Sequence, residues 1–420
     1  MPVYYGDEYP IHSDKRGGRD PWHMYTSVRF CTDRTSAPVW VMLPAFGGLE
    51  DYPWQLATGP EMRLMIHLAV AAGAKGITYH GSYSPPCWTH NHYYFYTARD
   101  SWQAGTPAWD EMKHVGRQIT AIMPAALQTA PVKDEPFTTD AETVTLGENR
   151  YQGPTVTASA LWEPGGKGYF VVVVNQDHEN ERTATLLPTV RLLPENAVLW
   201  DLYDLKEIGP AASTKHTVSL QPGDGRMLYA GAPEDCARVL DAVHANHCRN
   251  ELPIYRIDAE MAANNGIDIA AADADAKAAE AALEAGKGAE AHQKILSAQR
   301  KLAEAIAANP ALKAALGNLD QALPLLTELA NFYRDNIEIV APKEIRDQTE
   351  RYKPFDNTQD PKLQGYVNDT AAAFTARLRL SDRIQRGEAA QVVEETAAVL
   401  QTARRVHAEA IPYVEGKKGQ

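Results

Sequence analysis

The sequence predicts a multidomain chain in which an α/β region, an all-β region and an all-α region follow one another. Three observations indicate this order. The first region has apolar runs of strand length separated by a helical pattern, the second alternates apolar and polar residues, and the third repeats its apolar residues with a helical period. The predicted boundaries are residues 1–130, 138–231 and 233–420.

The α/β region is organised around residues 38–81, which read as strand, long loop, helix and strand. The apolar run 39–43 is typical of a strand buried on both faces. A helix is predicted to start near Thr58, because Pro60 and Glu61 suit a first turn. Its apolar residues form one stripe, and Gly73 stands where a C-cap is expected. A second buried strand is predicted at 77–80. Such a unit favours parallel strands joined by a right-handed crossover.

The second and third regions differ from the first in their hydrophobic period. Short alternating runs separated by turn residues predict an antiparallel β-sandwich; these runs are 155–162, 168–176, 182–190, 197–204, 216–220 and 226–231. From Pro233 the composition shifts to Ala, Glu and Lys, and apolar residues share single helical faces, which predicts an antiparallel helical bundle. Its helices are expected near 234–246, 268–285, 288–308 and 360–386, with further apolar stripes at 319–337 and 392–406.

Composition excludes several classes of function. The formal net charge is −13 and no basic block is present, so a nucleic-acid-binding role is not expected. No apolar run approaches the ~18 residues that would indicate a membrane-spanning helix. The chain has four cysteines, too few for a disulfide scaffold.

The first region also carries a family resemblance. The segments YYGDEYPIH, PVWVML, PEMRLM and GAKGITYHGS resemble the last strand–helix repeats of a (β/α)8-barrel glycoside hydrolase, most closely the β-galactosidase-like and agarase-like branches. The resemblance implies a partial TIM (β/α)8 barrel followed by a small β-domain. A whole barrel needs about 250 residues and eight strands, and three strands are found. We therefore expect either an N-terminally truncated product or a half-barrel that needs a partner, and we favour truncation.

The resemblance also implies where the chemistry lies. In such barrels the active site is built at the carboxyl ends of the strands, and retaining enzymes need two carboxyl groups about 5–5.5 Å apart. The resemblance implies an acid/base residue on the fourth barrel strand, in the half of the barrel that is missing from this chain. The strand that should present the nucleophile reaches Pro44 without a carboxylate, and Glu50 is the nearest carboxyl group on the following loop. The candidate catalytic residues are Glu8 and Glu50. The candidate substrate-binding residues are Asp7, Tyr9, Trp54, Tyr79, His80, Trp88 and Trp102.

Each candidate has an ordinary structural alternative. Asp7 and Glu8 could cap a helix or pair with nearby arginines, and Glu50 could be an exposed loop carboxylate. The tryptophans could pack loops together instead of stacking on sugar rings. His90 with His92, and His244 and His247 with Cys248, have spacings compatible with metal binding but lack a complete ligand set. No metal site and no cofactor is therefore predicted.

Two functions remain as hypotheses. The chain is either part of a glycoside hydrolase acting on an oligosaccharide or polysaccharide, or a non-catalytic carbohydrate-binding or assembly protein. The resemblance implies a secreted or periplasmic location. Three barrel strands would leave open sheet edges, which favours association into a homo-oligomer.

Overall fold

The structure is a computed structural model that describes residues 3–4, 21–44, 46–47, 57–80, 96–97, 107–147, 150–165, 168–212, 214–340 and 360–418. Within these ranges the chain is a mixed α and β protein. A short parallel sheet comes first, antiparallel sheets follow, and the remaining described residues are helical. The predicted mixture of the three types of region is therefore present in the described residues.

The first region contains a three-stranded parallel sheet in the order β1-β2-β4. Its elements are β1 (Val3–Tyr4), α1 (His23–Thr32), β2 (Trp40–Pro44), β3 (Phe46–Gly47), α2 (Gly59–Ala71), β4 (Gly76–His80), β5 (Tyr96–Thr97) and α3 (Pro107–Ala126). Strands β2 and β4 pair in parallel with α2 between them in sequence. The predicted strand–helix–strand unit is confirmed.

Helix α2 begins and ends where the sequence predicts. The Thr58 hydroxyl accepts a hydrogen bond from the Glu61 amide, and Glu61 Oε2 accepts one from the Thr58 amide at 2.7 Å, which is a complete capping box. The helix ends at Ala72, and Gly73 follows with a left-handed φ of +94°. Local sequence therefore determines both ends of this helix.

Burial around α2 and β2 differs from the prediction. Eleven of the 13 residues of α2 are buried, because the helix packs against the parallel sheet and also against the antiparallel sheet that follows. In β2, Val41 and Leu43 are fully buried, whereas Trp40 and Met42 are only half-buried. The expectation that this strand is buried on both faces is therefore not met at Trp40 and Met42.

The second region contains two larger antiparallel sheets and a hairpin. Its strands are β6 (Ala130–Pro131), β7 (Phe137–Thr139), β8 (Thr143–Leu146), β9 (Tyr151–Pro154), β10 (Val156–Trp162), β11 (Gly168–Asn175), β12 (Arg182–Pro188), β13 (Val198–Asp201), β14 (Lys206–Pro210), β15 (His216–Leu220) and β16 (Gly225–Gly231). The larger sheets have the orders β14-β13-β16-β11-β10-β6 and β15-β12-β7. Both contribute to one core that includes Phe137, Val171 and Leu186.

The third region is helical throughout its described residues. Its helices are α4 (Pro233–Asn264), α5 (Ala270–Glu284), α6 (Gly288–Ala308), α7 (Pro310–Asp335), α8 (Ile337–Val340), α9 (Pro361–Gln385) and α10 (Ala389–Glu415). Helices α4, α5 and α6 share one core, and α7, α9 and α10 share others. Among the described residues, no helix combines the length and apolar character needed to cross a membrane. The three domain boundaries stay predictions.

A substitution at Gly223 tests how closely the antiparallel region approaches α2. Gly223 has a φ of +65°, and a Cβ there would lie 2.1 Å from the Pro60 carbonyl oxygen. We expect Gly223→Ala to lower the free energy of unfolding by about 2–4 kcal/mol, measured by urea denaturation. The matched control is Gly165→Ala, which has a φ of +89° and no described atom within 4 Å. It should cost only the backbone contribution of about 1–2 kcal/mol. Equal losses for the two variants would contradict a close approach at Pro60.

Candidate functional site

The carboxyl edge of the parallel sheet is the first candidate site. Strands β2 and β4 are in register there, with Leu43 opposite Tyr79 and Pro44 opposite His80. Strand β1 pairs with β2 on its other side, with Tyr4 opposite Val41. The three chain segments that leave these strands therefore start from one edge, which is where parallel α/β sheets bind their ligands.

Tyr79 lies at this edge but packs against the helix-covered core. Burial raises the pKa of its hydroxyl to about 12. The side chain therefore stays protonated near neutral pH, so it can donate a hydrogen bond but cannot serve as a general base there. One residue earlier, the Thr78 hydroxyl donates a hydrogen bond to the Val41 carbonyl oxygen at 3.3 Å.

The other predicted site residues are described only in part. His80 is the last residue of β4, and the structure describes its backbone position alone. The remaining predicted residues lie outside the described residues: Asp7, Glu8, Tyr9, Glu50, Trp54, Trp88 and Trp102. The structure therefore places Tyr79 next to His80 at the strand ends, and the roles of all nine residues stay predictions.

Trp40 begins β2, at the end of the sheet opposite to the carboxyl edge. It is half-buried, and a Cβ at Gly76 would lie 2.5 Å from the indole ring, so the ring lies over Gly76, the first residue of the neighbouring strand β4. Trp40 therefore packs across the amino end of the sheet, away from the candidate site.

The starts of α1 and α2 meet the antiparallel region on the same side of the sheet. The Trp22 indole N–H donates a hydrogen bond to the Gln176 carbonyl oxygen at 3.0 Å, and its ring stacks on Tyr151 with the centroids 5.8 Å apart. The His178 ring meets the Trp22 ring edge-on at 5.4 Å. His178 Nε2 lies 3.7 Å from Glu61 Oε1 in the first turn of α2.

A second candidate site is a histidine cluster between α4 and α6. His244 Nδ1 and His292 Nδ1 are 2.8 Å apart, and the rings of His247 and His292 stack with centroids 5.0 Å apart. Burial is the main cause that lowers the pKa of all three, to about 4 for His292. Burial raises the pKa of the neighbouring Cys248 thiol to about 11. Across the part of the chain that the structure describes, no group of three His, Cys, Asp or Glu side chains is arranged to hold a metal ion.

Comparison with known proteins gives weak matches. No family model matches the chain, and no curated protein matches it. One similar solved structure is a protein from Bacillus halodurans C-125 proposed to be an alpha-N-acetylgalactosaminidase, with 13% identity, coverage of 50% of this chain and 41% of that one, and a TM-score of 0.27. Another is a family 5 glycoside hydrolase from Bacteroides vulgatus ATCC 8482, with 13% identity, 55% and 51% coverage, and a TM-score of 0.33.

A third similar structure is a glycoside hydrolase with 16% identity, 55% and 52% coverage, and a TM-score of 0.32. The chain thus spans about half or less of the length of the solved structures it matches. Since all three TM-scores lie below 0.5, this likeness by itself decides neither the fold nor the activity.

The histidine cluster predicts a pH dependence of stability. The bond between His244 and His292 requires one ring with a proton on Nδ1 and one without, so protonating both rings breaks it. The folded-state pKa of His292 is about 4, below the ordinary 6.5. Between pH 6.5 and pH 4 the unfolded chain binds more protons than the folded chain. The contribution of His292 to the free energy of unfolding is therefore fully present above pH 6.5 and is lost as the pH falls towards 4.

We expect His292→Gln to lose less stability than the wild type between pH 6.5 and 4. The difference should be about 1–2 kcal/mol after discounting for solvent screening, measured by urea denaturation at each pH. The matched control is His114→Gln, at an exposed histidine of α3, which should keep the wild-type pH slope. A wild-type slope in His292→Gln would show that the cluster does not titrate as its burial indicates.

Proposed function

We propose that this chain is a glycoside-hydrolase-like protein that acts on or binds an oligosaccharide or polysaccharide at the carboxyl edge of its parallel sheet. The observation that carries the proposal is the parallel register of β2 and β4, which pairs Pro44 with His80 at one edge. In the sequence, the candidate carboxylates and tryptophans lie on segments that follow these strand ends. The resemblance to (β/α)8-barrel glycoside hydrolases supplies the substrate class.

A second candidate function is non-catalytic carbohydrate binding or assembly. Hydrolysis with retention needs two carboxyl groups about 5–5.5 Å apart. The last residues of β1, β2 and β4 are Tyr4, Pro44 and His80, so no described strand end supplies a carboxylate. Within this chain, the candidate carboxylates Glu8 and Glu50 lie on the segments that follow β1 and β2.

Binding should be measured by calorimetric titration with a panel of oligosaccharides. We expect weak binding by the wild type, and a loss of about 1–3 kcal/mol of binding free energy in Glu8→Ala or His80→Ala, because each removes a polar contact. A chromogenic glycoside assay on the same preparation should give no detectable turnover. Turnover that Glu50→Gln abolishes would contradict the non-catalytic function and make Glu50 a nucleophile or base.

A further inference from the structure

His178 lies between the starts of two helices that follow strands of the parallel sheet. Helix α1 follows β1 and helix α2 follows β2, so both helices begin on the side of the carboxyl edge. The His178 ring meets Trp22, the residue before α1, at 5.4 Å. Its Nε2 lies 3.7 Å from Glu61 in the first turn of α2. One side chain of the antiparallel region thus contacts both helix starts.

The contacts on both sides of His178 are buried. Trp22 is 4% exposed, and the side chains of Glu61 and His178 are 1% and 16% exposed. Glu61 Oε2 also accepts the Thr58 amide hydrogen bond that caps α2. A buried carboxylate is costly unless it is paired or hydrogen-bonded. His178 therefore contacts a group whose position already determines where α2 begins.

The turn that carries His178 is held by many hydrogen bonds. Asp177 accepts bonds from the amides of Glu179 and Asn180, both at 3.0 Å, and from the Arg182 guanidinium at 3.0 and 2.6 Å. The Asn175 amide donates to the Asn180 carbonyl oxygen at 2.8 Å. Because so many bonds fix the backbone on either side, His178 projects from a rigid support.

We propose that His178 is a positioning residue that fixes the spacing between the starts of α1 and α2, and thereby the geometry of the sugar-binding edge. This inference rests on the proposed function for its consequence in binding. His178 contacts Trp22, which directly precedes α1, and Glu61, whose carboxylate caps α2.

The decisive comparison is His178→Phe against His178→Gln. Phenylalanine keeps a ring against Trp22 but has no polar atom for Glu61, whereas glutamine keeps a hydrogen-bond donor. We expect His178→Phe to raise the oligosaccharide dissociation constant about 10-fold and His178→Gln to stay within about 2-fold of the wild type. Hydrogen exchange should rise in His178→Phe in peptides covering residues 21–30 and 57–66.

The matched control is His216→Phe. His216 is a buried histidine of β15 whose Nε2 lies 3.0 Å from the Pro210 carbonyl oxygen. The His216→Phe variant should lower the melting temperature as His178→Phe does. It should change neither the affinity for the oligosaccharide nor hydrogen exchange at the two helix starts. If affinity falls equally in both phenylalanine variants, His178 acts only through general stability and the inference is overturned.

Glu61→Gln provides a second variant in case His178→Phe does not fold. Glutamine can complete a capping box as glutamate does, so α2 should keep its cap while the charge facing His178 is lost. We expect exchange to rise in the distant 21–30 peptide, which loss of a cap alone would not produce. Unchanged exchange there would overturn the positioning role. A wild type that binds no oligosaccharide would overturn the proposed function, while the exchange measurements would still decide whether His178 couples the helix starts.

Discussion

Burial of eleven of the 13 residues of helix α2 is the constraint on which the arrangement of the first two regions depends. A helix buried to this extent must find partners for its buried polar side chains, because an unpaired buried polar group is costly. His67 is fully buried and lies 2.9 Å from both the Tyr203 hydroxyl and the Arg63 carbonyl oxygen. Burial lowers the pKa of His67 to about 4, so it is neutral near pH 7. Arg63 donates a hydrogen bond to the Pro222 carbonyl oxygen and lies 3.2 Å from Glu111. The antiparallel region therefore supplies hydrogen-bond partners for polar side chains of α2.

Elements whose ends depend on local sequence could be predicted well. Helix α2, β4 and strands such as β11 and β15 lie within a residue or two of their predicted bounds, since caps, turns and hydrophobic period are local signals. The short strands β8 and β9, and the extent of α4 beyond residue 246, were not predicted. Proline usually ends a helix, yet α4 continues through Pro253 to Asn264 because packing against other helices supports both halves. The largest error concerns the burial of α2. The sequence predicts one buried apolar stripe, whereas tertiary contacts bury eleven of its 13 residues.

At the candidate sites too, features that depend on local sequence could be predicted, and features that depend on distant contacts could not. His80 was placed correctly at the end of β4, because a strand end is a local feature. The pairing of His244 with His292 spans 48 positions, and no spacing rule connects them. His178 reads in sequence as an ordinary turn residue, and only the fold brings it to Trp22 and Glu61.

Helix α4 joins the helical region to the sheets more closely than a boundary at Pro233 suggests. Cys236, Val239 and Val243 belong to the same core as α2, so the first turns of α4 complete the α/β part. The Tyr229 hydroxyl donates to Glu163 at 2.6 Å and Arg238 donates to the same carboxylate at 2.5 Å, which ties α4 to the antiparallel sheet. Further along, the Asn246 amide donates to the Ala121 carbonyl oxygen of α3 at 2.9 Å. Since α3 also packs against α2, the helix that begins the third region is fixed to both earlier regions. The histidines that face α6, His244 and His247, lie in the same half of α4, directly after Val243 of the first core. A change at that cluster therefore acts on the part of α4 that packs against the first two regions.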